Sequence, residues 1–468
     1  MTYFINITYL QKIVNFIIFL STTIWILLSE LFIYGLFQNY DLLIDKLTDR
    51  LSKINILYVK VFQAFALNNH FIDDKTNDKL LRFTDHAPWV SSDIDYYTLI
   101  SICNEYNLSL KNGFEYPMNS GMISLIFKGY DKLNNRNVIL KIKRVNIEKR
   151  LSCAVDNLLY LVSILSFIPI FNKYHILESI QKSIDMITLQ IDFNEEVKNM
   201  QKMKRNCIHL KYVIIPHVYD FVTKKYPDVI MMDFLEGMTI NQVDKNDYES
   251  FAKQVIKFGF VTTAIHGFTH GDLHVGNILF IKDEDEDEED KDEDKDEEEH
   301  KDKDKEVNYK YKIGVLDFGI VYQIDNMYKN TLFEIATDFF TLPSKTLAEK
   351  IIMSGIIEPI YVLKKLPKYH YLNIVQFVTE IIDEMVSNSK NANQIQVYKF
   401  LSSFHSYLVD HEISELGLGP SENFVKTQMC LTMSHGVTQT LCNGEYISIA
   451  DKVLNELFHI DLFTQENN

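Results

Sequence analysis

Two short motifs in the second half of the chain constrain its fold more than any other feature. The first is His-Gly-Asp-Leu-His-Val-Gly-Asn, from His270 to Asn277, and the second is Asp-Phe-Gly, from Asp317 to Gly319. Asp272 and Asn277 are separated by an interval of five residues, so a tight turn can direct both side chains into one cleft. Together with Asp317 they provide one carboxylate to orient a nucleophile, and an amide and a second carboxylate to hold Mg²⁺. Phosphoryl transfer from a nucleotide requires this set of groups.

An isolated Asp-Phe-Gly is also compatible with an ordinary turn that buries a phenylalanine. The order and spacing of the two motifs argue against this simpler interpretation. Apolar segments lie at Ile278 to Ile281 and at Tyr311 to Leu316, and each has the composition of a short strand. A hairpin of these two strands would carry both motifs into one site, where Mg²⁺ could take an amide, a carboxylate and phosphate oxygens as ligands.

Residues upstream could form the ion pair that holds the phosphates of a nucleotide. Val138 to Ile142 is an apolar, β-branched run that contains Lys141, and Gly121 to Tyr130 has the pattern of a preceding strand. We therefore predict a hairpin that ends in Lys141. The run from Ile184 to Lys204 has helical apolar spacing and contains Glu196. Taken singly, the lysine could extend from a strand edge into water, and the glutamate could lie on a solvated helix surface.

Taken together, these residues resemble the UbiB/AarF family of atypical kinases, the coenzyme Q kinase-like proteins. The catalytic-loop segment from His270 to Leu279 is similar to the family's H-A-D-P-H-P-G-N loop, more than to the H-R-D of ordinary protein kinases. Other segments resemble the family's K-x-G-Q signature, its E-x-D helix, and the strand and hinge between its two lobes. These segments are Tyr58 to Gln63, Gln190 to Phe193 with Glu196 and Asn199, Val213 to Tyr219, and Met231 to Gly237.

The resemblance implies an α+β, two-lobed protein-kinase-like fold with extra N-terminal helices and a helical C-terminal lobe. It implies ATP or ADP and Mg²⁺ as cofactors. By this likeness Asp272 is the catalytic carboxylate, and Asn277 and Asp317 are the metal ligands. Lys141 contacts the phosphates and Glu196 is its partner. The remaining implied positions are Ser120 and Gly121 in the nucleotide loop, and Lys60, Gln63, Gln190 and Asp192 as possible regulatory residues.

The sequence departs from the family's pattern in three places. Phe62 occupies the glycine position of K-x-G-Q, so a large ring must fit where the family needs no side chain. Gln190 replaces the first acid of E-x-D and removes one negative charge. The nucleotide loop, from Pro117 to Ser124, keeps one glycine and lacks the family's alanine-rich sequence, so it approaches phosphates less freely.

The expected function is a UbiB-type ATPase or phosphotransferase, and the resemblance implies a setting in membrane lipid or isoprenoid quinone metabolism. Two alternatives stay open. The departures are compatible with a nucleotide-binding pseudokinase scaffold at a membrane, and H-G-D-L-H-x-G-N also occurs in small-molecule kinases of the aminoglycoside and choline kinase type. The segment from Ile320 to Asn330 is predicted to run directly into a helix without an A-P-E motif, which argues against protein substrates.

The chain is long enough for two lobes, with 468 residues of which 47% are apolar. We predict an apolar N-terminal segment at 1–37, a helical extension at 38–115, a small lobe at 116–235 and a large lobe at 236–468. In the C-terminal part we predict helices at Thr331 to Phe340, Leu347 to Met353, Tyr371 to Val386 and Lys426 to Leu441, and a loop at Gly417 to Pro420.

The segment 283–306 has an extreme composition. It contains 18 acidic residues and five lysines, so it carries −13 of the chain's net charge of −17. Because it has no apolar side chain to bury, we predict a disordered insertion within the hairpin that follows the catalytic loop. The alternative is a segment that binds cations or a basic partner.

The N-terminal segment is apolar and has no charged residue from Ile13 to Ser29, and its apolar character continues after Glu30 to Phe37. This length suffices to cross a bilayer, so we predict a membrane anchor and a membrane or lipid partner. The alternative is a buried or membrane-surface helix that packs on the small lobe.

The cysteines and basic residues bear on location and partners. The five cysteines lack C-x-x-C spacing, which argues against disulfides and zinc. We therefore place the catalytic part on a reducing, ATP-containing side of the membrane, the cytosol. The basic residues form no stripe with aromatic residues, so nucleic-acid binding is not predicted. The sequence predicts no particular protein partner.

Overall fold

The computed structural model describes most of the chain: residues 9–55, 57–58, 87, 89–165, 167, 190–283, 310–338, 342–388, 403–404, 407, 416–442, 449–450, 452–453 and 456–457. Some predictions fall outside these residues. They concern Lys60, Phe62 and Gln63, the start of the helix predicted from Ile184, and the acidic insertion beyond Asp283.

Twelve strands and twelve α-helices organise the described part of the chain. The strands are β1 (Leu108–Leu110), β2 (Asn119–Ser120), β3 (Ser124–Asp131), β4 (Arg136–Lys143), β5 (Val213–Ile214), β6 (Val229–Asp233), β7 (Phe268–His270), β8 (Ile278–Lys282), β9 (Tyr311–Val315), β10 (Val321–Gln323), β11 (Ile357–Glu358) and β12 (Gly419–Pro420). The helices are α1 (Tyr9–Phe37), α2 (Tyr40–Ile54), α3 (Tyr96–Glu105), α4 (Ile147–Leu165), α5 (Phe193–Asn206), α6 (Asp220–Lys225), α7 (Tyr248–Phe260), α8 (Asn326–Asp338), α9 (Ser344–Ile351), α10 (Ile360–Leu363), α11 (Lys368–Asn388) and α12 (Glu422–Cys442).

The chain divides into two compact units. One comprises Met1–Lys198 and His217–Phe234, and the other comprises Asn199–Pro216 and Leu235–Asn468. The division differs from the predicted lobes for Asn199–Pro216, which were assigned to the small lobe. These residues group with the second unit because β5 pairs in parallel with β9, so that Val213 lies opposite Ile313.

An antiparallel sheet in the order β1-β3-β4-β6 forms the centre of the first unit, and β2 pairs with β3. The predicted hairpin is confirmed: β3 and β4 pair along their whole length, from Ser124 opposite Lys143 to Asp131 opposite Arg136. The carboxylate of Asp131 accepts the backbone N–H groups of the connecting turn. Because side chains alternate along a strand, one face supplies an apolar core that also contains residues of α3 and α6.

Helices α1, α2 and α4 pack together within the first unit. Phe19 and Ile26 of α1 join a buried apolar cluster, and the same face of α1 carries the buried polar residues Thr23 and Glu30. Thr23 contacts the hydroxyl of Tyr58 at 3.3 Å. Among the described residues, α1 is the one helix long and apolar enough to cross a membrane, over Gln11–Phe37. One face of this apolar helix is therefore part of the fold.

The second unit begins with two small sheets. In the sheet β5-β9-β8, the strands β8 and β9 are antiparallel, with Ile278 opposite Val315 and Lys282 opposite Tyr311. The hairpin predicted after the segment His270 to Asn277 is confirmed. In the other sheet, β7 pairs with β10, with His270 opposite Val321. Strand β10 interrupts the segment predicted to run from Ile320 directly into a helix.

Helices fill the rest of the second unit. Helices α8, α9 and α11 and the start of α12 share one buried apolar cluster, and α7 packs against α12 and β9. The helices predicted in this region are present, with shifted ends. The loop predicted at Gly417 to Pro420 is wrong in part, because Gly419 and Pro420 pair with Glu358 and Ile357.

Candidate active site

Lys141 lies in the interior of β4 and forms a buried ion pair. Its Nζ donates to Oε1 of Glu196 in α5 at 2.6 Å, and the two side chains are 8% and 3% exposed. A buried charge is stable only when it is paired and hydrogen-bonded. Lys141 and Glu196 therefore form a buried ion pair, and the alternatives of a lysine in solvent and a glutamate on the helix surface are excluded. Glu195, the neighbouring acid, is exposed and pairs with Lys198.

Gln190 and Asp192 lie in the turn before α5, and the helix begins at Phe193. The prediction of a helix through these positions is therefore wrong in this part. Oδ1 of Asp192 accepts the backbone N–H of Asn194 at 2.9 Å, so its carboxylate satisfies a donor at the helix N-terminus. This cap sets where the helix starts, and hence which glutamate faces Lys141.

Ser120 and Gly121, the predicted nucleotide-loop residues, contact other parts of the first unit. The hydroxyl of buried Ser120 donates to the carbonyl of Ala87 at 2.7 Å. The carbonyl of Gly121 accepts two hydrogen bonds from the guanidinium of Arg144, at 3.1 and 2.6 Å. Arg144 is itself buried and paired with Asp93 at 2.9 Å. The loop is thus held by an arginine fork instead of by a glycine-rich sequence.

His270 fixes the backbone of both motifs in the second unit. Its Nδ1 accepts the N–H of Asp272 at 3.1 Å, and its Nε2 lies 2.5 Å from the carbonyl of Asp317 and 3.2 Å from that of Leu316. Burial lowers the pKa of His270, although the nearby carboxylates of Asp272 and Asp317 oppose this shift. A neutral ring protonated on Nε2 satisfies all three contacts.

The β8–β9 hairpin brings Asn277 and Asp317 together. Asn277 precedes β8 and Leu316 follows β9, and the N–H of Leu316 donates to the carbonyl of Asn277 at 2.9 Å. The side-chain nitrogen of Asn277 donates to the carbonyl of Asp272 at 2.9 Å and lies 3.1 Å from Nε2 of His274. The amide oxygen is therefore the atom of Asn277 that would bind a cation.

Asp317 has a left-handed backbone conformation. Its φ is +53°, in the left-handed region that L-residues other than glycine seldom adopt. Such a conformation costs about 1–3 kcal/mol and persists where surrounding contacts hold it, commonly at functional sites. Its Oδ1 accepts the N–H of Gly319 at 3.1 Å, which helps to orient the carboxylate.

The donor set fits Mg²⁺. One amide oxygen and one carboxylate, from Asn277 and Asp317, are oxygen ligands of the kind that Mg²⁺ prefers, and nucleotide phosphates and water complete its shell. In the described part of the chain no group of three or more His, Cys, Asp or Glu residues could hold a metal ion.

The family of the chain follows from comparison with known proteins. The family model described as the ABC1 atypical kinase-like domain matches residues 108–351, more than half of the 468 residues. The chain belongs to the ABC1 atypical kinase-like family. The predicted resemblance is confirmed, and the α+β, protein-kinase-like fold is that of this family. The matched range contains Lys141, Glu196 and both motifs of the second unit.

Three curated relatives show how far the similarity reaches. The probable serine/threonine-protein kinase abkB of Dictyostelium discoideum is 25% identical over 48% of this chain and 35% of its own length. The probable protein kinase UbiB of Shewanella baltica is 21% identical over 51% of this chain and 44% of its own. A putative ABC transporter of Paramecium bursaria Chlorella virus 1 is 22% identical over 50% of this chain and 46% of its own. The chain thus spans less than half the length of these relatives.

Among solved structures, the chain aligns with the Rio2 kinase-ADP/Mg²⁺-phosphoaspartate complex from Chaetomium thermophilum. The alignment covers 85% of this chain and 95% of that chain at 10% identity, with a TM-score of 0.26. This score is too low to support any argument.

The ABC1-family chain thus groups its predicted site residues by unit. Lys141 and Glu196 meet in the first unit, and Asp272, Asn277 and Asp317 meet in the second. Sequence reasoning missed the role of Arg144, which follows the lysine strand and binds the carbonyl of Gly121 in the predicted nucleotide loop. A basic residue directly after an apolar strand gave no signal, because most such residues lie in water.

Proposed function

We propose that the chain binds ATP or ADP with Mg²⁺ and hydrolyses or transfers the γ-phosphoryl group. The observation that carries this proposal is the strained Asp317, held beside Asn277 by the β8–β9 hairpin and by His270. Strain of this kind indicates a functional position, and an amide and a carboxylate at this place match the magnesium ligands of phosphoryl-transfer sites.

Each site residue has a defined task in this proposal. Lys141, held by Glu196, neutralises charge on the α and β phosphates. Asp272 orients the attacking oxygen and accepts its proton. Asn277 and Asp317 would hold Mg²⁺, which neutralises charge on the phosphates when it is bound. Little covalent chemistry is then left to the protein, so positioning supplies most of the catalysis.

The phosphoryl acceptor in this proposal is a small molecule, a component of a lipid pathway, or water. By family resemblance, isoprenoid quinone or other membrane lipid metabolism is the expected setting. We place the catalytic part in the cytosol, because all five cysteines are free thiols and a reducing, ATP-containing side agrees with that.

A nucleotide-binding pseudokinase scaffold is the second candidate. The observation that favours it is the nucleotide loop, where Ser120 and Gly121 bind Ala87 and Arg144. A loop held in this way has fewer groups to offer to phosphates than a glycine-rich loop. The scaffold would bind nucleotide without turnover.

Two measurements on the full-length protein in detergent test the proposal. The first is thermal stabilisation by ATP and by ADP, with and without Mg²⁺, and the second is phosphate release from ATP. Mg²⁺-dependent stabilisation with phosphate release supports an enzyme, and stabilisation without release supports the scaffold. Absence of stabilisation under all conditions would overturn both.

We further propose that α1 associates with a membrane through its exposed face. Trp25, Leu28 and Phe32 are 67%, 60% and 69% exposed, whereas Phe19 and Ile26 on the opposite face are buried in the first unit. Deleting residues 1–37 would remove part of that buried cluster. Substitution of the exposed side chains is therefore the better test.

A triple change of Trp25, Leu28 and Phe32 to glutamine is expected to reduce binding to phospholipid vesicles by about 100-fold or more. Burying each of these side chains in hydrocarbon contributes about 1.5–3 kcal/mol. Co-sedimentation with vesicles measures the effect. Glutamine at Tyr97, Tyr116 and Leu133, which are exposed elsewhere in the first unit, serves as the control. Equal sedimentation of wild type and the triple variant would place lipid binding on another surface.

Replacing residues 284–309 with Asn-Gly is expected to leave nucleotide-dependent stabilisation nearly unchanged. The hairpin ends at Asp283 and Lys310, whose backbones are hydrogen-bonded at 2.9 Å, so a two-residue turn fits. In the adjacent residue pair of the hairpin, Lys282 and Tyr311 both donate hydrogen bonds to Asp247, so this end of the hairpin is held without the insertion. Thermal unfolding with and without Mg²⁺ and ADP measures the effect. A large loss of stability would show that the insertion is structural, and a changed Mg²⁺ requirement would show that it binds cations.

A further inference from the structure

Asn199 contacts the Asp-Phe-Gly motif from a distant part of the chain. It lies in α5, within the stretch of that helix that belongs to the second unit. Its side-chain nitrogen donates to the carbonyl oxygen of Phe318 at 3.2 Å, across a sequence separation of 119 residues. The Phe318 side chain is fully buried, so this carbonyl is set in a packed environment.

The bond from Asn199 acts on the carboxylate of Asp317 through one peptide group. The carbonyl of Phe318 and the N–H of Gly319 belong to the same peptide plane, which is rigid. Asn199 donates to the carbonyl of Phe318 at one end of this plane. At the other end, the N–H of Gly319 donates to Oδ1 of Asp317 at 3.1 Å. The orientation of this plane therefore sets the direction of the Asp317 side chain.

The adjacent peptide plane is held by a different residue. His270 binds the carbonyl of Asp317, and so it holds the plane between Asp317 and Phe318. That contact does not orient the next plane, because the φ and ψ rotations of Phe318 lie between them. The left-handed backbone at Asp317 needs support on its C-terminal side as well, and Asn199 provides it.

We propose that Asn199 is a positioning residue for the magnesium-binding carboxylate of Asp317. This inference rests on the proposed function, since it assumes that Asp317 binds Mg²⁺. Groups that orient a metal ligand commonly change metal affinity by about 10- to 100-fold when they are removed. Asn199 donates a hydrogen bond to the peptide plane that holds the Asp317 carboxylate, so its loss should weaken Mg²⁺ binding specifically.

Lys202 offers a matched control on the same face of α5. Its Nζ donates to Oε1 of Gln323 in β10 at 2.6 Å and lies 4.1 Å from the ring centroid of Phe268. Lys202→Ala therefore removes a contact between α5 and β10 without touching the peptide plane that holds Asp317.

The test is a Mg²⁺ titration of the full-length protein at a fixed ADP concentration, followed by thermal unfolding. Asn199→Leu keeps the size of the side chain and removes its donor, and Asn199→Ala is a second variant in case leucine does not fold. We expect the Mg²⁺ concentration for half-maximal stabilisation to rise about tenfold or more in both variants. Stabilisation by ADP without Mg²⁺ should match the wild type, and so should Lys202→Ala at all Mg²⁺ concentrations.

Two results would overturn the inference. One is an unchanged Mg²⁺ midpoint in a folded Asn199 variant, and the other is an equal rise in Lys202→Ala, which would indicate a general effect of α5. Failure of the proposed function looks different, because the wild-type protein itself would then show no Mg²⁺-dependent stabilisation. Asn199→Gln, which restores an amide donor, is expected to recover part of the Mg²⁺ affinity.

Discussion

Asp317→Asn is expected to abolish Mg²⁺-dependent stabilisation by nucleotide and to lower any phosphate release by about 100-fold or more, since the variant loses the charged metal ligand. The fold should survive. An asparagine side-chain oxygen can still accept the N–H of Gly319, and asparagine tolerates the left-handed conformation that Asp317 adopts. Thermal unfolding in the presence of ADP, with and without Mg²⁺, measures this directly.

Asp325→Asn is the control for the Asp317 variant. Asp325 is exposed and accepts the N–H of Met327 at 2.8 Å at the start of α8, outside both motifs. The Asp325→Asn variant removes the same charge from the second unit without changing a residue of the candidate site. If Asp317→Asn retained the Mg²⁺ dependence of the wild type, Asp317 could not be a metal ligand. If both variants lost that dependence, the effect would be one of net charge.

Lys141→Met is expected to have the largest effect on stability, lowering the free energy of unfolding by about 3–5 kcal/mol. The change leaves the carboxylate of Glu196 in a buried position without its lysine, and the cost of a buried charge then appears in full. Nucleotide-dependent stabilisation should also be lost, because the phosphates lose their cation. Denaturant unfolding measures the first effect, and thermal unfolding with ADP measures the second.

The double variant Lys141→Met with Glu196→Leu separates these two effects. Replacing both members of a buried ion pair by apolar side chains is commonly close to neutral, so most of the stability should return while nucleotide binding stays absent. Lys143→Met is the control on the same strand, since its partners Glu148 and Asp228 are 65% and 63% exposed. Lys143 is itself 9% exposed, but its exposed partners are not left as buried charges when it is replaced, so this variant should cost much less stability than Lys141→Met. A double variant as unstable as Lys141→Met would contradict the buried-charge explanation.

Much of the local structure could be predicted from the sequence. Both hairpins, β3–β4 and β8–β9, were predicted because antiparallel neighbours join strands that lie close in the chain, and their alternating or apolar pattern is visible in a short window. The placing of Asp272, Asn277 and Asp317 in one unit follows from the second hairpin. The family resemblance followed from the same residues.

Other features depend on contacts that no short window contains. The resemblance implied Glu196 as the partner of Lys141, but only the structure shows how it comes to lie there: the start of α5 at Phe193 sets the phase of the helix, so that Glu196 is buried against the lysine. The predicted helix from Ile184 failed at Gln190 to Asp192, where a side-chain cap competes with helix formation.

By itself, then, the sequence determined the chemistry of the site and the local hairpins that present it, because residue type and spacing are properties of short segments. Tertiary structure alone decided which polar groups are buried and what holds them. The arginine fork on Gly121 and the bond from Asn199 to Phe318 join residues far apart in the chain. The buried Thr23 and Glu30 of α1 likewise become visible only when α2 and α4 cover that face. Such contacts depend on how whole helices and strands pack against one another, and composition and periodicity do not predict which elements will be in contact.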